Sequence, residues 1–245
     1  MELSLKSLRR NWDRFGETDP FWAILTDPEK KNNRWDPEQF FASGVSEIAD
    51  ALDRIERIQC FPSKARALDF GCGLGRLSQA LALHFTEVHG VDISASMIRK
   101  AGEYNRYGDR CLYSLNLRGD LSQFPDNHFN LVYSNLTLQH MPANLSTRYL
   151  AEFIRVLAPG GTACFQLPSR RTPGSVSAAT RLLEVGYLRL FAPLFRRNLP
   201  VMEMHGIECG TVVRLLASKG ARVVEVSADS SLLPAWESFH YIVTK

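Results

Sequence analysis

The chain lacks any uninterrupted apolar run approaching the ~18 residues that span a bilayer, which excludes a transmembrane helix at the level of sequence. Its first residues, MELSLKSLRRNWDRFG, have no continuous apolar segment of the signal-peptide kind. A cytoplasmic location is expected. The five cysteines, Cys60, Cys72, Cys111, Cys164 and Cys209, are odd in number, scattered and never spaced as CxxC. Neither a disulfide framework nor a zinc site is supported, and a reducing compartment suits them. Charge of one sign is scarce: the formal net charge is +3, which gives no reason to expect a nucleic-acid partner. Repeats and low-complexity tracts are absent, and Asp, His and Glu do not gather at ligand spacing, so no metal is expected.

What the chain has is the profile of a soluble globular protein: 245 residues, 45% apolar and 22% charged, with 16 Gly and 12 Pro. That length buries one sizeable core, read as a single α/β domain with additions. Leu5, Leu8, Trp12 and Phe15 recur at steps of three and four, predicting an amphipathic helix over the first fifteen residues. Three Asp-Pro steps and the aromatics Phe21, Trp22 and Trp35 predict an irregular but ordered arm over 16–37. A longer helix is expected from Pro37 to Ile58.

From residue 62 short apolar runs alternate with helical stretches. Strands are predicted over Ala65–Phe70, Val88–Ile93, Phe129–Ser134, Thr162–Leu167, Arg222–Ser227 and His240–Thr244. Helices are predicted over Leu77–Phe85, Ser96–Tyr104, Ser146–Leu157 and Ile207–Lys219. This β-α-β rhythm argues for a mainly parallel sheet covered on both faces, whose ligands bind beyond the carboxyl ends of the strands. We divide the chain into a helical, aromatic extension over 1–60 and a ligand-binding domain over 61–245, with a helical insertion over 170–206. Within the insertion, Val176 to Pro200 sets an apolar stripe beside Arg181, Arg189, Arg196 and Arg197. A solvated cap is the simplest reading, with a dimer contact or peripheral membrane contact as alternatives; oligomeric state is left open.

The stretch ALDFGCGLGR places three glycines, Gly71, Gly73 and Gly75, in five positions where a strand turns into a helix. Glycine there allows unusual dihedrals and lets a ligand approach the backbone. The next strand, VHGVD, ends in Asp92, 17 residues beyond Gly75, where a carboxylate can accept from both hydroxyls of a ribose. The glycines run GxGxG and not the GxGxxG of a dinucleotide fingerprint, and Asp69 stands two residues before the first. A carboxylate is poorly placed beside a pyrophosphate and well placed beside a cation, which favours a positively charged nucleoside.

On these motifs the chain resembles the class I S-adenosylmethionine-dependent methyltransferases, especially their small-molecule branch. VDISASMI is similar to the ribose-binding strand end, Gly119-Asp120-Leu121 with FPDNHFNLVYS to the adenine-contacting segment and fourth strand, and AEFIRVLAPGG to the helix and turn before the fifth. Phe129-Asn130-Leu131-Val132 departs from the usual acid at its second position. The resemblance implies a Rossmann-like, doubly wound, mainly parallel seven-stranded sheet with its last strand antiparallel, and S-adenosylmethionine as cofactor. It further implies a cofactor site formed by Asp69, Phe70, Gly71, Cys72, Gly73, Arg76, Asp92, Ile93, Met97, Asp120, Leu121, Asn135 and Leu136. An N-terminal extension of this kind is expected to cover the cofactor and shape the acceptor pocket, which makes Trp12, Phe15 and Trp22 lid or substrate candidates, with His205 a further one. His140 is the candidate general base. The expected activity is methyl transfer to oxygen or nitrogen of a small molecule of sugar or secondary-metabolite type. An NAD-dependent oxidoreductase and a catalytically inert cofactor-binding relative are the alternatives.

Overall fold

The computed structural model describes residues 2–60, 62–172, 200–232 and 235–245. Most of the predicted insertion, including the four arginines named above, lies outside the described residues.

Helix α1, Glu2–Thr18, is amphipathic, and the short α2, Pro20–Ile24, follows it directly. Helix α3, Pro37–Arg57, starts where sequence chemistry says it should: Asp36 Oδ1 accepts from Gln39 N at 2.9 Å, and Pro37 occupies the first helical turn. Its buried stripe of Phe40, Phe41, Gly44, Ile48, Leu52 and Ile55 follows the helical period. The predicted irregular arm thus contains α2 and a 3-10 turn at Pro28–Lys30. Its Phe21 packs with Phe40 and Phe41 of α3 in one cluster with Phe15, Leu74 and Met97.

The remaining elements are β1 Arg66–Phe70, α4 Arg76–Leu81, β2 Glu87–Asp92, α5 Ala95–Tyr104, β3 Cys111–Leu115, β4 Phe129–Ser134, α6 Ala143–Val156, β5 Leu157–Arg171, α7 Cys209–Ser218, β6 Arg222–Asp229 and β7 Trp236–Thr244. Two differences from expectation matter. Residues 111–115 form a strand that the apolar-run reading missed, because CLYSL is short, lies at the sheet edge and has only Cys111 fully buried. Strand β5 runs far past the predicted Thr162–Leu167 at both ends: Leu157 pairs with Phe129 of β4 at one, and pairing with β7 continues out to Arg171 opposite Trp236 at the other.

The seven strands are ordered β3-β2-β1-β4-β5-β7-β6. β7 is antiparallel to both β5 and β6 and lies second from the edge, while β3, β2, β1, β4 and β5 pair in parallel. Two apolar clusters cover the sheet. One gathers Phe70, Phe129, Phe153, Phe165 and Tyr241; the other gathers Ile48, Leu52, Leu77, Leu81 and Val88. The chain winds outward from β1 to β3 and then returns to β4 on the other side of β1. A crevice opens at such a reversal, beyond the carboxyl ends of β1 and β4.

Candidate active site

That crevice holds a cavity whose free space, counting the part open to solvent, is about 900 Å³. Phe70, Gly71, Cys72 and Gly73 line it from the turn after β1, Asp92 and Ile93 from the end of β2, and Asn135 and Leu136 from the end of β4. The turn needs its glycines. Gly71 has φ +80° and a Cβ there would sit 2.2 Å from the Thr137 side chain; Gly73 has φ +53° and a Cβ would come 2.5 Å from Ile24 Cδ1. Asp92 ties turn and strand together: Oδ2 accepts from Gly73 N at 3.0 Å and Oδ1 from Ser94 N at 2.8 Å. Burial raises the Asp92 pKa above the usual carboxylate range, against those two backbone donors.

Behind the turn, Asp69 is 1% exposed and accepts from Ser78 Oγ at 2.6 Å. Burial pushes its pKa up to about 7, opposed by the Ser78 hydrogen bond and the Arg76 charge and reinforced by Glu47 and Asp92. Asp69 is not among the cavity-lining residues. The sequence reading placed it against the ligand; the structure places it under the turn as a buried support, because its carboxylate is spent on Ser78. Asp92, which does line the cavity, is the carboxylate that would favour a cationic occupant.

Arg76 lines the cavity with its charge already matched: Nη2 meets Glu47 Oε2 at 2.7 Å, Nη1 reaches Ser43 Oγ at 3.3 Å, and the guanidinium lies over Phe40. Glu47 of α3 also accepts from Tyr133 Oη at 3.1 Å and Asn135 Nδ2 at 2.7 Å. This hub was not legible in the sequence, since α3 reads only as an amphipathic helix remote from the motifs. It leaves Asn135 Oδ1 buried without a hydrogen-bond partner at the cavity.

The residues expected at the adenine, Asp120 and Leu121, stand off the cavity lining. Asp120 accepts from Ser122 N at 3.2 Å and meets Arg148 Nη2 at 3.4 Å, and Leu121 is fully buried with its N–H donated to Glu152; neither lines the cavity. Asn116 does, directly after the missed strand β3. Its N–H donates to Asp92 O at 2.8 Å, and its Nδ2 donates to Asp120 O at 3.0 Å. Asp120 therefore braces the lining residue through its backbone. Recognising CLYSL as a strand would have found Asn116.

From the N-terminal helices, Leu5, Leu8, Trp12, Ala23 and Ile24 line the cavity. Phe15 and Trp22 do not: Phe15 is buried in the aromatic cluster, and Trp22 lies partly buried beside it with Lys31 over its ring. His205 also stands off the cavity, its N–H on Gln139 O and its ring beside Glu203. Met97 of α5 is 1% exposed and lines the cavity. His140 lines it as well, 5.1 Å from the Trp12 ring, with Nδ1 at 2.7 Å from Glu203 O and Nε2 at 3.2 Å from Gln139 Nε2. Burial pulls its pKa down to about 4, so the ring is neutral at pH 7 and a weak base. Both nitrogens are engaged, which counts against the role of general base expected from its position. Tyr149, unnamed in the sequence reading, lines the same wall and donates to Arg118 O at 2.6 Å.

The arrangement is a cradle of bare backbone, a carboxylate at the end of β2 and a buried, unpartnered amide oxygen, with apolar residues of α1 over them. Residues 67–161 match the family model described as a methyltransferase domain. That match assigns residues 67–161, and not the whole chain, to the methyltransferase-domain family. Among relatives, trans-aconitate 2-methyltransferase of Deinococcus radiodurans is 33% identical over 144 residues, 58% of this chain and 52% of that protein. Phosphoethanolamine N-methyltransferase 2 of Caenorhabditis elegans is 32% identical over 113 residues, 45% of this chain and 25% of that protein. The chain spans about half the length or less of both. Among solved structures, magnesium protoporphyrin IX methyltransferase from Synechocystis PCC 6803 with bound SAH superposes with TM-score 0.65 at 18% identity, covering 99% of each chain. The methyltransferase domain thus shares its fold across widely diverged sequences.

Two further expectations meet the structure here. All five cysteines are free thiols. One grouping of potential metal-ligating atoms does occur among the described residues, contrary to the spacing argument: Glu87, His89 and His128, with ligand atoms within 4.8 Å of one another. It lies toward the amino end of β2, with Glu87 five residues and ~16 Å along the strand from Asp92, and its His89–Glu87 contact is an ion-pair geometry complete in itself.

Proposed function

We propose that the protein transfers a methyl group from S-adenosylmethionine to an oxygen or nitrogen of a small-molecule acceptor. The observation that carries this reading is the Asp92 carboxylate, joined through Gly73 N–H to the glycine turn and lining the same cavity as Asn135, whose Oδ1 is buried and unpartnered. Asp92 keeps lone pairs for two ribose hydroxyls beyond the two backbone donors it already serves. Asn135 Oδ1 offers an acceptor to the ammonium of the methionine part, and Asn116 offers an amide to the adenine edge. The backbone of Gly71 to Gly73 lies against the methionine chain. When bound, the cofactor supplies a methyl on a sulfonium, transferred by in-line displacement. The domain's contribution is alignment and exclusion of water, which in well-oriented systems supplies roughly 7 kcal/mol or more.

The acceptor end is read as mostly apolar, from Leu5, Leu8, Trp12, Met141 and Leu145. Relatives named for trans-aconitate and for phosphoethanolamine support a small-molecule acceptor without choosing its class. A sugar or secondary-metabolite scaffold remains our reading. We extend the proposal to the domain division: residues 1–60 act as a cover over the domain at 61–245, since five of them, Leu5, Leu8, Trp12, Ala23 and Ile24, line the cavity. Action in a reducing compartment accords with five free thiols, and no described helix is long and apolar enough to cross a membrane.

Titration calorimetry with S-adenosylmethionine, S-adenosylhomocysteine and NAD tests the reading. Heat from the first two and none from NAD is expected. No heat and no thermal shift with either adenosyl compound would overturn it, and NAD binding alone would move the protein to the oxidoreductases.

A further inference from the structure

Two polar groups of the cavity lining are gripped by one residue that is not itself part of the lining. Glu47 Oε2 accepts from Arg76 Nη2 at 2.7 Å, and Glu47 Oε1 accepts from Asn135 Nδ2 at 2.7 Å and from Tyr133 Oη at 3.1 Å. Arg76 and Asn135 line the cavity; Glu47 and Tyr133 do not. Packing puts the carboxylate there. Gly44 lies three residues before Glu47 on α3, and a Cβ on it would come 2.6 Å from Arg76 O, so the missing side chain lets α3 lie against the start of α4. Ser43 Oγ, 3.3 Å from Arg76 Nη1, adds a second tie. Residues three apart share a helix face, which brings Glu47 over Arg76 and the end of β4.

Donor and acceptor roles in this group are not free. Arg76 is 3% exposed and has donors only, so whatever meets it has to accept. A carboxylate accepts on both oxygens, which obliges Asn135 to turn its NH₂ toward Glu47. Burial, and then the Glu47 charge, raises the Tyr133 pKa well above its ordinary 10, and the protonated phenol donates to the same oxygen. Two atoms are left over. Asn135 Oδ1, the other arm of the amide, and Arg76 Nε, the third nitrogen of the guanidinium, are both buried without a hydrogen-bond partner. One is an acceptor and the other a donor, and both belong to lining residues held by the same carboxylate. Native folds leave few such groups unpaired, and a zwitterionic amino-acid group carries the matching ammonium and carboxylate.

We propose that Glu47 is a positioning residue for the amino-acid end of the cofactor, holding Arg76 and Asn135 so that Arg76 Nε–H is kept for the carboxylate and Asn135 Oδ1 for the ammonium. The proposal rests on the S-adenosylmethionine reading above. Glu47 also cancels the Arg76 charge, so an ammonium entering beside the guanidinium meets no uncompensated cation. Gln at position 47 inverts the arrangement. Arg76 takes its single oxygen, its NH₂ turns to Asn135, and the Asn135 amide has to rotate to accept it, which presents Nδ2 in place of Oδ1.

The test is calorimetry on the full chain with S-adenosylhomocysteine and with its deamino analogue, which keeps the adenosine, the thioether and the carboxylate. Wild type is expected to prefer S-adenosylhomocysteine by about tenfold or more. In Glu47→Gln the affinity for S-adenosylhomocysteine should fall by about tenfold or more, while that for the deamino analogue stays within about twofold, so that the preference disappears. A role in stability alone would weaken both compounds together; that result, or a preference kept in Glu47→Gln, overturns the proposal. So does a wild type that binds both compounds alike. A wild type that binds neither refutes the cofactor reading itself and takes the proposal with it. Asn135→Leu, which leaves the Glu47–Arg76 pair in place, decides the matter should Glu47→Gln fail to fold: the preference should be lost, and a preference retained overturns the proposal.

Discussion

Replacing Asp69 by Asn isolates one buried carboxylate and lets its cost be measured against pH. Asp69 is 1% exposed, and its pKa is pushed up to about 7 from an ordinary 3.8. A raised carboxylate means that the folded protein binds a proton the unfolded chain has released, throughout the window between those two values. Stability therefore falls as pH rises from about 4 to about 7 and is level above that. The shift corresponds to about 4 kcal/mol at full extent. His140 works the other way, since its lowered pKa removes stability as pH falls below its unfolded value. The quantity to follow is therefore the difference between Asp69→Asn and wild type, in which His140 cancels. Asn keeps an acceptor for Ser78 Oγ and cannot ionise. Urea unfolding at intervals from about pH 4 to 8 should show the variant gaining on wild type by several kcal/mol as pH rises. A difference flat to within about 1 kcal/mol across that range would show that Asp69 stays ionised in the fold and would refute the desolvation argument.

Asp92→Ala should weaken S-adenosylhomocysteine binding by about 100-fold or more, from two lost charge-assisted hydrogen bonds of about 1.5–3 kcal/mol each, read by calorimetry. Gly71→Ala should lower Tm by roughly 5–10 °C, because a Cβ would strike Thr137 at 2.2 Å in a left-handed backbone, together about 2–4 kcal/mol. Glu47→Ala strands the 3%-exposed Arg76 without its counter-charge and should cost about 3–5 kcal/mol in denaturant unfolding; a loss under about 1 kcal/mol would show that the pair is not a support of the site. Deleting residues 1–35 should weaken cofactor binding and abolish transfer, and an active, tight-binding truncation would exclude the cover.

The motifs around the first two parallel strands were legible because they are local. Gly71, Gly73 and Asp92 owe their placement to a strand–turn–helix in which backbone sterics leave few options, so residue type and spacing carry the geometry. The same holds for the helix stripe of α3 and the apolar run of β4, whose boundaries are as expected to within a residue. Where pairing or packing between distant segments decides, the sequence is mute. CLYSL becomes a strand because β2 offers it an edge, and that pairing delivers Asn116 to the cavity in the place assigned to Asp120 and Leu121. Glu47 gains meaning only when α3 docks across Arg76 and Asn135, 29 and 88 residues away along the chain. Asp69, Phe15 and Trp22 share the spacing of their lining neighbours and yet face elsewhere, since a side chain's direction is settled by which partner competes best for it. The surroundings of His140 lie furthest from view in the sequence: its ring meets the Glu203 carbonyl and stands beside Trp12 only once the segment after Pro200 and α1 both pack against the cavity wall, because contacts between segments more than sixty residues apart leave no local pattern.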